Sequence, residues 1–187
     1  LFFFFLQMHT TMTNQLFNPF EDRLSRNIRN DLSEGLAESV ETGNSDKLIQ
    51  IVESYRQQLL ADHYRDYLED RYSRYEQALK LIRDGITDPI QQGLILWNLG
   101  LFFEVHEVLE HVWYSAEGNM KMTLQALIRA AGVYIKREYG FNDSANTTVA
   151  KTIPVLEANQ DILEAYFKTE KLVSALKNPE ALPPKLS

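Results

Sequence analysis

Residues 98–113 read Asn98-Leu99-Gly100-Leu101-Phe102-Phe103-Glu104-Val105-His106-Glu107-Val108-Leu109-Glu110-His111-Val112-Trp113. At roughly 100° per residue on a helix, Leu101, Val105, Val108, Leu109 and Val112 share one apolar arc, with Phe102 at its edge. That pattern is the buried stripe of an amphipathic helix, and it sets the class of the chain. The rest of the circumference holds three carboxylates and two imidazoles within eight residues. Glu104, Glu107 and His111 form one row, and His106, Glu110 and Trp113 form a second beside it. Side chains three or four apart on a helix touch, so each row can present a carboxylate and an imidazole to one bound group. The arc also reads as the solvated face of the same helix, since charged residues are rarely fully buried. Phe103 and Trp113 stand inside the polar arc, where a freely solvated face has no need of them.

Outward from this stretch, helix signals succeed one another along the chain. Asn18-Pro19-Phe20-Glu21 reads as a helix start with Asn18 as cap and Pro19 in the first turn. Phe20, Leu24, Ile28, Leu32, Leu36 and Val40 then recur every four residues, and Gly43-Asn44 stops the run. Arg23, Arg26 and Arg29 offer an anion patch, but Asp22, Asp31 and Glu34 dilute it, and a solvated face is the favoured reading. Asp46 to Asp84 reads as one long helix or two, with Leu60, Tyr64, Tyr67, Leu68, Tyr75, Leu79 and Ile82 on a core-facing stripe. Thr87-Asp88-Pro89 opens the next helix, and Asn98 with Gly100 marks a turn before the His/Glu helix. Beyond Glu117-Gly118-Asn119, helices are expected at Met120–Glu138, from about Asp143 with a bend or split at Pro154, and at Asp161–Lys177. Alternating Val/Ile/Thr runs are absent. The expectation is an all-α, compact multi-helix bundle with an N-terminal helical extension. Its parts are 16–86 for the extension, 87–178 for the His/Glu-motif domain and 179–187 for a loose tail. Residues 1–15, opening on Leu1-Phe2-Phe3-Phe4-Phe5-Leu6, are expected to be disordered or spurious upstream sequence, with Met8 or Met12 as the start.

The helix over 120–138 is apolar nearly all round, except for a stripe of Gln125, Arg129, Gly132 and Lys136. Gly132 is expected to let another backbone approach closely. A basic stripe on a buried helix calls for an acidic partner, and the arc of Glu104, Glu107 and Glu110 is the candidate. The alternative is that Arg129 and Lys136 reach out to water.

Phe102-Phe103-Glu104-Val105-His106-Glu107-Val108-Leu109-Glu110 with Trp113 resembles the signature Phe-Phe-Glu-Ala-His-Glu-x-Leu-Glu-x-x-Trp of domain-of-unknown-function family 309. Asn98-Leu99-Gly100 matches the Asn-x-Gly turn before it. Leu124-Gln125-Ala126-Leu127-Ile128-Arg129-Ala130-Ala131 is similar to the family's second motif, Leu-Gln-Gly-Leu-Ile-Gln-x-Ala, and Gly140–Ala145 weakly resembles its third. Val105, Ala126 and Arg129 depart from the family's Ala, Gly and Gln, and a family His before the third motif has no counterpart at Tyr134-Ile135-Lys136. The resemblance spans about residues 90–160. It implies a compact helical domain of bacterial or plastid type and no established activity.

Composition narrows the function classes. A net charge of −7 disfavours a nucleic-acid partner. No run of residues is long and apolar enough to suggest a membrane span. With no cysteine, thiolate catalysis and Cys-type zinc sites are excluded, and a cytoplasmic location is expected. His106-Glu107-Val108-Leu109-Glu110-His111 looks like a zinc-hydrolase motif, but its histidines are five apart. That places them about 140° apart on the helix, so one metal cannot take both. Glu107 with His111, or Glu104 with Glu107, keeps correct geometry, but paired Glu-x-x-His motifs do not occur, and no metal and no cofactor are expected. The favoured reading is an interaction or ligand-binding module for a small anionic ligand or a protein partner, able to form a homo-oligomer. The alternative is a metal-independent acid/base hydrolase or isomerase acting on a small anion. His106, Glu107 and Glu110 are the candidate catalytic residues, since a carboxylate can orient an imidazole base. Asn98, Glu104, His111, Trp113, Gln125 and Arg129 are the candidate ligand contacts.

Overall fold

A computed structural model describes residues 16–187; the expectation for residues 1–15 lies outside the described residues. The described residues form helices α1 (Arg23–Thr42), α2 (Asp46–Arg56), α3 (Asp62–Arg83), α4 (Pro89–Asn98), α5 (Phe102–Ser115), α6 (Gly118–Glu138), α7 (Asn142–Ala158), α8 (Gln160–Leu163) and α9 (Thr169–Lys177). No strand occurs among them. The fold is an all-α bundle.

α1 starts one turn later than Asn18 suggests. Asn18 instead closes a turn, accepting from the Phe20 amide at 3.0 Å, and Asp22 caps the helix by accepting from the amides of Leu24 and Ser25 at 3.3 and 2.7 Å. Ile28, Leu32 and Leu36 are fully buried. Gly43, at φ 72°, ends the helix in the left-handed conformation that glycine adopts without penalty. The Asp46–Asp84 region is two helices, broken at residues 57–61, where Leu60 turns into the core.

α6 is central and makes its most extensive contacts with α7 and α5, while α5 also packs on α4 and α1. The N-terminal helices thus lie on the motif domain of their own chain. Phe20 reaches the α6–α7 corner, edge-on to Tyr139 and Phe141 at 5.0 Å each. Gly100, at φ 73°, makes the turn between α4 and α5. α7 runs unbroken through Pro154, on its exposed side. The proline removes one backbone donor but does not split the helix. Asp161–Lys177 is interrupted at 164–168, where the Glu164 carboxylate accepts from the Thr169 amide at 2.9 Å and starts α9.

Residues 179–187 form no helix, but they are not loose. Leu186 is 1% exposed. Its amide donates to Asn98 Oδ1 at 2.8 Å, and its carbonyl accepts from Asn98 Nδ2 at 2.7 Å. The Trp97 indole donates to the Pro184 carbonyl at 2.8 Å.

Candidate functional site

The polar arc of α5 divides among three environments. Glu104 faces inward and is wholly buried. The Tyr75 hydroxyl of α3 donates to its Oε1 at 2.6 Å, and Arg71 Nη1 stands 3.9 Å from its Oε2. Burial, then the Glu104 charge, pushes the Tyr75 hydroxyl well above its ordinary range, so it stays a neutral donor. At Arg71, burial acts to weaken the bound proton, but Glu104 with Tyr67 and Tyr75 outweighs it and leaves the guanidinium more firmly charged. Arg71 also reaches the Gly100 carbonyl at 3.4 Å, tying this pair to the turn that begins α5.

His106 lies on another side of the helix, half-buried. Its Nδ1 is 3.3 Å from Glu107 Oε1 and 3.8 Å from Glu110 Oε2. The Glu107 carboxylate is the largest cause of a raised imidazole pKa. Burial opposes it, Glu110 adds to it, and Arg29 of α1 works against it. The Arg29 guanidinium covers the Phe103 ring at 3.9 Å. Phe103 in turn lies near-parallel to His106, their ring centres 6.4 Å apart.

His106 and Phe103 line a groove of about 550 Å³ formed with α1, α6 and α7. Four cations line it as well: Arg29, Arg129, Lys136 and Lys151. No carboxylate does. Phe20, Ile128 and Ile135 supply apolar wall. The Lys136 ammonium donates to Thr148 Oγ1 at 2.7 Å. Arg129, Lys136 and Lys151 have no carboxylate within ion-pair distance among the described residues. The expected pairing of Arg129 with the acidic arc is therefore replaced by a shared groove wall with His106. Gly132 opens onto the same groove. A Cβ there would meet nothing within 4 Å, so the glycine leaves space where a close backbone was expected.

The other residues singled out in the sequence go elsewhere. Asn98 holds the C-terminal segment through both ends of its amide. His111 is exposed, 3.9 Å from Glu41. Trp113 is half-buried under the Lys121 ammonium, 4.6 Å from its ring centre. Gln125 is half-buried and makes no side-chain hydrogen bond among the described residues. So the row of Glu104, Glu107 and His111 does not converge, whereas His106, Glu107 and Glu110 do. These last three offer a ligand atom apiece within 4.8 Å of one another, close enough to share a cation. The four positive side chains of the adjoining groove oppose one electrostatically. Arg29 carried a sequence signal only as part of an acid-diluted patch, and Lys151, between Ala150 and Thr152, carried none; the packing of α1 and α7 brings both to the groove. The basic stripe did carry a signal: Arg129, Gly132 and Lys136 line the groove, and Gln125 does not.

The molecule is thus an all-helical domain with an open cationic groove beside a histidine and two carboxylates. Over residues 90–147 the chain matches the model of the family described as "Domain of unknown function (DUF309)", in agreement with the resemblance in its motifs. No curated protein and no solved structure matches the chain. The matched segment runs from α4 into α7, so Phe20, Arg29, Thr148 and Lys151 of the groove lie outside it. No helix among the described residues is long and apolar enough to cross a membrane.

Proposed function

We propose that the chain binds a small, multiply charged anion in the groove between α1, α5, α6 and α7. The observation that carries this reading is the charge of the wall: four cations and no carboxylate, in a protein of net charge −7. Like charges gathered without counter-ions repel one another, and an anionic ligand relieves that repulsion. The volume suits a small organic phosphate, since ligand pockets typically run from about 300 to 1,000 Å³. The apolar residues on the wall accommodate the ligand's uncharged portion. His106 adds a titratable fifth charge, held by Glu107 and Glu110 on its far side.

Calorimetric titration with pyrophosphate tests the reading. Saturable binding is expected, weakening as salt rises. It should fall by roughly tenfold or more in an Arg129→Ala, Lys151→Ala double variant, about 1.4 kcal/mol per decade. No saturable binding by the parent, or unchanged binding in the double variant, would refute it. A second reading rests on His106 alone. An imidazole oriented by carboxylates at the edge of a groove is arranged as a general base, so the bound anion could be a substrate. A bell-shaped or sigmoid pH–rate profile, abolished in His106→Gln, is the measurement that would establish turnover.

A further inference from the structure

A second cleft, of about 960 Å³, lies between α3, the last turn of α6 and residues 179–183. Tyr67, Phe102 and Tyr134 give it an aromatic lining, and Pro179, Leu182 and Pro183 form an apolar wall. Tyr134 is only 5% exposed, yet its hydroxyl has no hydrogen-bond partner among the described residues. Buried phenols ordinarily find one. One turn on, Arg137 donates from Nη2 to the Leu176 carbonyl at 2.8 Å, while its buried Nε and Nη1 have no hydrogen-bond partner among the described residues. No carboxylate lies within ion-pair distance of Arg137 among the described residues. Neighbouring turns of one helix therefore bring three orphaned donors to one cleft. Packing gains nothing from them, because an unpaired buried donor is destabilising.

The segment over the cleft is tied at both ends. Leu176 is held by Arg137, and Pro184 and Leu186 are held by Trp97 and Asn98. Between the ties, Leu182 is 86% exposed, and the hydrogen bonds made by residues 179–183 are those of a local turn on Asn178.

We propose that this cleft is a binding site for a small monocarboxylic acid with an apolar body, enclosed by residues 177–183 as a strap. The carboxylate accepts from Arg137 and the Tyr134 hydroxyl, and the body lies along the aromatic lining. A single negative charge is what the walls favour. Arg74 is paired with Asp70 at 2.8 Å, and Arg71 faces Glu104. Arg137 is then the remaining cation, while Glu138 and Glu180 repel a second negative charge.

The chain contains its own reporter. It has two tryptophans, and Trp97 stands edge-on to Phe102 and Tyr134 at 5.1 and 5.4 Å while holding the strap through Pro184. In a Trp113→Phe background, 3-phenylpropionate is titrated against Trp97 fluorescence, with calorimetry alongside and inorganic phosphate as the contrasting probe. A saturable change with the acid and none at this site with phosphate is expected. Tyr134→Phe removes a hydroxyl that makes no hydrogen bond among the described residues, so it should melt like its parent and bind several-fold more weakly. Arg137→Met should bind roughly tenfold more weakly or worse. If losing the Leu176 contact unfolds that variant, Tyr134→Phe decides alone. No saturable signal by either method overturns the proposal, and so does affinity left unchanged by the Tyr134→Phe substitution. The outcome is independent of pyrophosphate binding at the cationic groove.

Discussion

The two sides of α5 carry similar residues in opposite circumstances. On one side Glu104 and Tyr75 are fully buried and hydrogen-bonded to each other, with the Arg71 guanidinium beside Glu104 and tied to the Gly100 carbonyl. On the other, His106, Glu107 and Glu110 are half-buried at the margin of an open groove whose four cations have no carboxylate partner among the described residues. Charge content along the helix does not separate the two; what faces each side does. α3 brings a phenol and a guanidinium to Glu104, so that carboxylate is structural. α1, α6 and α7 bring four cations around a space beside His106, the groove for which anion binding is proposed.

The comparison breaks most readily at Glu104. Glu104→Ala leaves Arg71 as an unpaired, largely buried charge, and loss of roughly 3–5 kcal/mol is expected in urea melts. A loss below about 1 kcal/mol would remove the structural role assigned to the pair. Asp22→Ala, at the α1 cap, should cost about 1 kcal/mol. Hydrogen bonds from the Ser25 side chain and backbone lead in holding the Asp22 carboxyl at about 2, below its ordinary 3.8. Its contribution is therefore complete above the ordinary value and is lost as pH falls toward 2; in the variant that acid-side loss should shrink. On the groove side, Glu107→Gln should change stability by less than about 1 kcal/mol, because the carboxylate is half-exposed and its neighbour His106 is not wholly buried. The smallest effect concerns His106 itself. Its imidazole pKa is raised by Glu107 first, against burial, with Glu110 assisting and Arg29 opposing. A raised value means stabilisation that is full below the ordinary 6.5 and fades as pH climbs through the folded value. Stability measured from pH 5 to 9 should show this slight decline, and His106→Gln should flatten it.

Much of the fold was legible because its signals are local. The four-residue stripe of α1, Gly43 at its end, Asp88-Pro89 and the Asn98-x-Gly100 turn each act through neighbouring residues. Where local signals run out, a tertiary contact decides. Asp46–Asp84 allowed one long helix or two, and it is two: the break at 57–61 carries no Gly or Pro, and Leu60 is buried there. Pro154 leaves α7 whole because its side of the helix is exposed. The tail docks because Asn98, expected at a ligand, matches the backbone of Leu186 instead. The candidate site was half legible. His106 and the Arg129–Gly132–Lys136 stripe could be found from periodicity, whereas Arg29, Lys151, Arg71 and Tyr75 depend on which helices meet, and residue spacing within one helix does not encode that.

Gly132 gives the most direct test of the claim that the His106 side serves binding and not stability. It lies inside α6 with an ordinary helical backbone and open space beyond it. Leucine favours a helix over glycine by about 0.8 kcal/mol, so Gly132→Leu should melt at or above the temperature of the parent while its side chain fills the groove. Pyrophosphate titration of this variant beside the parent is the decisive measurement. The account predicts a folded, undiminished protein with binding lost. Binding at the parent's affinity in a folded Gly132→Leu variant would contradict it.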